Sequence, residues 1–378
     1  MRPLRIAVMG HVRFPIARPF RGGMEAHCWH LARGLRARGH DVTLFASGDS
    51  AAGCRLHPVL KEHYDRSYPW HLWNGTPELT GHLDHAHARA IEELRDSGFD
   101  IVHNNSLHRF PPRMARRDRI AMLTSLHVPP FPVLHRAVRD GIAPWSRFTV
   151  SSDRQRRAWW PNGAPPEAHV LPNGIDLDDW PFATQGEGGA VWSGRITATK
   201  APHLAARAAR IAGLPLSIFG PVENEDYFEA ELRPLLGGEI RYGGHLSAAD
   251  LSREVARASV LFFTPLWDEP FGLSAIEAMA CGVPVAATDM GAVREVIGPA
   301  GRFAPPDDPE ALARAALDAM QIPRRVPRDR VERLYALDIV LDRTESLYRE
   351  TRRGLDHDAA PVVFKPIELP ERAKHPVR

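Results

Sequence analysis

Two glutamates, Glu269 and Glu277, bracket seven residues in the stretch from Asp268 to Val285, which reads DEPFGLSAIEAMACGVPV. Between them Pro270-Phe271-Gly272 marks a turn, because proline donates no backbone hydrogen bond and glycine reaches dihedral angles closed to other residues. From Leu273 to Cys281 the residues are good helix formers, and Gly282-Val283-Pro284 stops the run. Glu269 therefore falls in a loop and Glu277 about one turn into a helix. The unpaired N–H groups and positive dipole end of a helix start suit a phosphate. A carboxylate on either side would accept hydrogen bonds from sugar hydroxyls, so the segment suits a sugar nucleotide. A lone Glu-x7-Glu pair would be read more simply as a helix cap and a solvated helix residue. Here it comes with the small-residue run Ala278-Met279-Ala280-Cys281-Gly282 and the strand-like Val283–Ala287.

This segment resembles the nucleotide-sugar motif of the family-four retaining glycosyltransferases, which have the GT-B fold. The resemblance implies that Glu269 contacts the donor sugar and Glu277 the ribose, with Phe271, Gly272, Leu273 and Ser274 around the diphosphate. A second segment fits independently. The chain holds only four lysines against 44 arginines, and Lys200 is one of the four. A lysine kept against such a bias points to a need for a compact ammonium. Lys200 ends Trp192–Lys200, which follows one predicted strand and precedes a helix, the place where α/β folds bind ligands. Arg195 and Lys200 would neutralise a diphosphate leaving group. The family's S-G-R…K pattern does this work, with Ala201 standing here where its glycine is usual. Gly22-Gly23-Met24-Glu25 matches the family's G-G-x-E loop, beside donor phosphate and acceptor.

His127 follows a predicted strand in Leu123-Thr124-Ser125-Leu126-His127. The matching family histidine lies beside the donor sugar, and general base is one of its roles. The turns at Gly220 and at Gly244-His245-Leu246 correspond to loops around the nucleotide base. Retention in hydrolases uses a carboxylate nucleophile, but none can be named here, which leaves same-face attack assisted by the diphosphate. No metal is expected. Asp176-Leu177-Asp178 reads as an interdomain turn, and His82, His85 and His87 lie on a predicted polar helix without evident ligand geometry.

These residues need two α/β units to position them. A length of 378 residues suggests two domains. Leu4–Met9, a helix near 24–38 and Val42–Ala46 form a strand–helix–strand unit, with further strands at Ile101–Asn104, Ala121–Leu126 and Phe148–Ser151. A second series starts at Ala190. The expected architecture is α/β, GT-B: a Rossmann-like acceptor domain (1–168), a nucleotide-sugar domain (169–340), a helix packing back on the first domain (341–354, the end of a helix predicted over 329–353) and a Pro-rich tail (355–378). The segments 48–85 and 105–120, with Tyr68, Trp70, His71 and Trp73, would form the acceptor side or simply pack under a long loop.

Composition narrows the setting. Hydrophobic residues make up 44% and charged residues 25%, as in a soluble globular protein. No apolar run of spanning length occurs, the N-terminus reads as a buried strand rather than a signal peptide, and three cysteines far apart fit a reducing cytoplasm. Residues 1–165 carry 24 Lys+Arg against 14 Asp+Glu, whereas 166–378 carry 24 against 32. The basic half, including Arg116, Arg117, Arg154, Arg156 and Arg157 with Trp159 and Trp160 alongside, is either ordinary surface or a peripheral contact to an anionic membrane or acceptor. Nucleic acid is not expected, since no recognition motif accompanies the charge.

The expected activity is transfer of a hexosyl group from a nucleotide-diphospho-sugar, UDP-sugar favoured, to a hydroxyl acceptor without a cofactor. The alternatives are a phosphorylase or sugar-nucleotide epimerase on the same fold, or a non-catalytic subunit.

Overall fold

The computed structural model describes residues 2–357. The first sheet comprises β1 (Arg5–Met9), β2 (Asp41–Ser47), β3 (Arg55–Leu60), β4 (Ile101–Asn104), β5 (Met122–Leu126), β6 (Ser146–Val150) and β7 (Ala168–Val170). All its pairings are parallel, in the order β3-β2-β1-β4-β5-β6-β7. The second comprises β8 (Ala190–Ser193), β9 (Leu216–Phe219), β10 (Ile240–Tyr242), β11 (Val260–Phe263), β12 (Val285–Thr288) and β13 (Gly301–Ala304). It is also parallel, in the order β10-β9-β8-β11-β12-β13. Strands buried on both faces, such as Val-Leu-Phe-Phe in β11, are what a helix-covered parallel sheet requires.

Each sheet reverses its winding once, between β1 and β4 and between β8 and β11. Crevices at the carboxyl ends of strands flanking such a reversal are where doubly wound sheets bind ligands. The expected α/β architecture of two facing Rossmann-like domains is the one observed. Strand β7 carries the first sheet to Val170, two residues beyond the boundary expected at 168.

The long helix expected over 329–353 is in fact two, Arg325–Leu334 and Leu337–Arg353. Between them Ala336 is extended, and Ile175 and Leu337 exchange backbone bonds with Tyr335 and Ile175. This is where the chain crosses back. The second helix buries Leu341, Leu347 and Tyr348 with Ile6, Leu35 and Leu123 of the first domain. His103 in β4 bonds the Tyr348 hydroxyl at 2.7 Å through Nδ1 and Ser125 at 2.8 Å through Nε2, tying this helix to the middle of the sheet. The tail expected from 355 lies outside the described residues from 358 onward.

Candidate donor-site cleft

The loop after β8 and the loop after β11 meet at the reversal point of the second sheet. Thr264 fixes one to the other: its hydroxyl donates to the carbonyls of Lys200 (2.8 Å) and Ala201 (3.0 Å) and accepts from the Trp192 indole (2.9 Å). The Lys200 ammonium thereby reaches Glu269 Oε2 at 2.5 Å. The same oxygen accepts from the Trp267 indole N–H at 2.8 Å, and the Trp267 ring stands 5.1 Å from the ammonium. Glu269 is 5% exposed, so this pairing with the half-buried Lys200 answers the cost of burying the carboxylate. Behind the loop, Ala292 N–H donates to the Glu269 carbonyl at 2.8 Å, and a Cβ at Gly291 would lie 2.3 Å from the Glu269 backbone.

Gly272 caps the helix Leu273–Ala280 in a left-handed conformation (φ +98°), and a Cβ there would press on the Phe263 ring at 2.7 Å. No side chain caps this helix, and the first-turn amides of Leu273 and Ser274 have no intrahelical acceptor. Glu277, one turn in, lines the cleft and has no described hydrogen-bond partner. Burial pushes its carboxyl up to about 7.

Arg195 pairs with Glu223, which also receives Arg13 of the first domain at 2.9 Å; Arg13 in turn holds Asp65 at 3.0 Å. Gly22 caps the helix Gly23–Ala37, and a Cβ on Gly23 would stand 2.6 Å from Leu273. The paired glycines thus bring the first domain against the donor helix. Gly22 itself is extended and needs no special dihedral; a Cβ there would meet Glu25 Oε2 at 2.9 Å. Glu25 is buried, which raises its pKa against the opposing pull of Arg195 and Arg13.

The domains are closed upon one another. Ser151 and Ser152 hydroxyls donate to the Pro270 carbonyl at 3.0 and 2.8 Å, strapping the Glu-Pro-Phe-Gly turn to the end of β6. His245 bonds the Phe20 carbonyl at 3.2 Å. Between the domains lies a cavity of about 320 Å³. Gly22, Gly23, His127, Arg195, Lys200 and Glu269 all line it, as do Phe271, Gly272, Leu273, Ser274 and Glu277 from the same stretch as Glu269. Of the residues expected at the base, Gly220, His245 and Leu246 line it and Gly244 does not; its carbonyl accepts from Gly220 N–H at 2.9 Å.

Outside the cleft the expectations meet different outcomes. Trp159 is fully buried, stacked on His135 with its indole donating to the Val128 carbonyl, so it presents nothing to a membrane. The five arginines singled out are engaged, Arg154 by Asp268, Arg156 and Arg157 by Asp153, Arg117 by Asp118, and Arg116 by the Asp140 carbonyl. His87, expected on a polar helix, is buried and stacked on His108 at 4.0 Å. Tyr68 and Trp73 pack at the margin of the core and edge-on to each other, while Trp70 is 36% exposed beneath Arg13. Sequence reasoning missed Trp267, Glu223, Arg13, Asn105 and the serine pair. Trp267 stands just ahead of the Asp268–Val285 stretch, two residues before Glu269, yet nothing in the sequence ties its indole to that carboxylate.

The model of glycosyl transferases group 1 matches residues 184–333, and that of glycosyltransferase family 4 matches 21–179, so that between them they span most of the chain. The chain is a family-four glycosyltransferase of the GT-B fold. It is 26% identical to glycogen synthase of Mycobacterium tuberculosis over 93% of this chain and 96% of that one. It is 27% identical to the phosphatidyl-myo-inositol mannosyltransferase of Mycobacterium leprae over 78% and 82%. Among solved structures, a glycosyltransferase of avilamycin A biosynthesis superposes with a TM-score of 0.69 at 23% identity, covering 93% of this chain and 99% of that chain. Sucrose-phosphate synthase of Thermosynechococcus elongatus gives 0.74 at 19%, covering 92% and 98%; likenesses at this identity speak for the fold alone. Among the described residues no helix is long and apolar enough to cross a membrane.

Proposed function

We propose that this glycosyltransferase moves a hexosyl group, with retention of configuration, from a nucleotide-diphospho-sugar to a hydroxyl acceptor. The observation that carries this reading is the meeting of two cations, Arg195 and Lys200, with an uncapped helix start at one cavity wall flanked by Glu269 and Glu277. Developing diphosphate charge would be met by Lys200, Arg195 and the amides of Leu273 and Ser274. The chain's own cations thus supply the charge that a metal ion supplies in other transferases. Glu269 Oε2 is occupied by Lys200 and Trp267, which leaves Oε1 for a sugar hydroxyl. Glu277, without a protein partner, suits the ribose hydroxyls.

UDP is favoured as the nucleotide. A supporting likeness is Anabaena HepE, solved in complex with UDP-glucose, with a TM-score of 0.71 at 15% identity over 92% of this chain. The acceptor is a hydroxyl on a glycan, lipid or small molecule, and the setting is a reducing cytoplasm, in keeping with three unpaired cysteines.

Thermal unfolding with UDP, GDP, ADP and dTDP, each with and without magnesium, tests this. One diphosphate at about a hundred times its dissociation constant should stabilise by roughly 2.7 kcal/mol. A shift that appears only with magnesium would overturn the metal-free reading, and none with any nucleotide would overturn the donor site.

A further inference from the structure

Among the residues that the first domain brings to the cavity is His127, and its state is set from behind. Asn105 follows β4 directly and is fully buried, its N–H bonded to the Met9 carbonyl at 2.7 Å. Its side-chain Nδ2 donates to the His103 carbonyl at 3.3 Å, and its Oδ1 stands 2.8 Å from His127 Nε2. The two contacts orient the amide together. Turned over, it would set its oxygen against the His103 carbonyl, and two acceptors cannot bond. With Oδ1 facing the ring, His127 Nε2 must be the donor.

We propose that Asn105 is a positioning residue that holds His127 as the Nε2–H tautomer, so that Nδ1 serves as a hydrogen-bond acceptor for a substrate hydroxyl in the cleft. No described protein group bonds Nδ1. The ring is also kept neutral. Burial, with the His27, His103 and His11 rings nearby, drives its pKa far below the ordinary imidazole range. His27, from the helix Gly23–Ala37, stands edge-on at 4.6 Å between centroids and lies against the same amide. Across the cavity are Arg195, Lys200, Glu269 and Glu277. A neutral Nε2–H imidazole cannot donate from Nδ1 to a phosphate; it can only accept from a hydroxyl, whether of the donor sugar or of the acceptor. The inference rests on the proposed reading of the cleft as a site for hydroxylated substrates.

Nitrogen-15 NMR of histidine-labelled full-length protein, with the His127 signals identified by their loss in His127→Gln, tests the tautomer without turnover. The wild type should show a protonated Nε2 and a bare Nδ1 near neutral pH. Asn105→Asp puts a carboxylate against Nε2–H and should raise the His127 titration by about one to three pH units. In that variant the acid limb of the pH–rate profile should move up with it. Asn105→Ala should mix the tautomers and lower kcat more than it raises KM for the donor. A bare Nε2 in the wild type, or an Asn105→Asp titration unmoved, overturns the proposal, and the wild-type spectrum decides even if Asn105→Ala does not fold. An Nε2–H tautomer in a protein that binds no nucleotide would instead overturn the proposed function while leaving the role of Asn105 intact.

Discussion

Glu277 shows how a residue legible by type acquires its chemistry from its surroundings. Spacing marked it as a helical carboxylate, but only the fold shows it half-buried at the cleft wall without a side-chain hydrogen-bond partner, its pKa raised from 4.5 to about 7. The sign of the pH effect follows. Between these values the folded protein holds a proton that the unfolded chain releases, so ligand-free stability falls as pH rises from about 4.5 to 7 and levels above. Each tenfold difference in proton affinity between the two states corresponds to about 1.4 kcal/mol. Glu277→Gln should therefore unfold at a higher temperature than wild type at pH 8 and nearly the same temperature at pH 4.5. Its nucleotide affinity should be weaker and flat with pH, whereas wild-type affinity declines as pH falls below 7 and the carboxylate gains its proton. Equal melting of the two proteins at pH 8 would contradict this. Lys200 was legible by its rarity, and Glu269 by its motif. The indole of Trp267 was not, because a tryptophan in a loop gives no sign of which carboxylate its N–H will meet.

At the scale of elements, the strands that bear the site were readable because they are apolar runs ended by turn residues. β3 and β7, with Arg-Leu-His-Pro-Val-Leu and Ala-His-Val, mix polar residues at the sheet edges and were not. The break between the last two helices was hidden too, since no glycine or proline marks Tyr335-Ala336 and the cause is a backbone bridge to Ile175. Turns carry their reasons more openly. Gly220 was expected beside the base, and it also has φ +138° with a would-be Cβ 1.8 Å from the Gly194 carbonyl oxygen. Gly220→Ala must therefore displace the loop that carries Arg195. We expect a loss of about 3 kcal/mol or more in denaturant unfolding, together with weakened nucleotide binding. Ala201 illustrates the converse. It occupies a left-handed conformation (φ 49°) where the family has glycine, a strain of about 1 kcal/mol that its fully buried methyl helps to offset.

Across the whole molecule, two sheets read as separate units are joined by polar contacts among others. Arg13–Glu223, Arg154–Asp268 and the two serine hydroxyls on Pro270 span the cleft, and such a seam allows domain motion. None was visible in the sequence, because each joins residues more than a hundred positions apart. Glu223 takes both Arg13 and Arg195, so opening the cleft would release one side of the carboxylate that holds the donor-site arginine. Arg13→Ala should enlarge the radius of gyration of the ligand-free protein in X-ray scattering, with less change as salt is added than wild type shows. A saturating nucleotide that binds both domains should restore compactness. Identical scattering of variant and wild type would rule out Arg13 as a brace of the closed form.

The crossing helix Leu337–Arg353 has a consequence for how the protein is made. Synthesis proceeds from the N-terminus, and domains generally fold as they emerge. Here the first domain cannot do so completely: Leu35, Ile6 and the buried His103 wait for Leu341, Leu347 and Tyr348, which are translated after the whole second domain. On the ribosome the donor domain is thus the first to find all of its own core, and the half that was begun earliest is finished last.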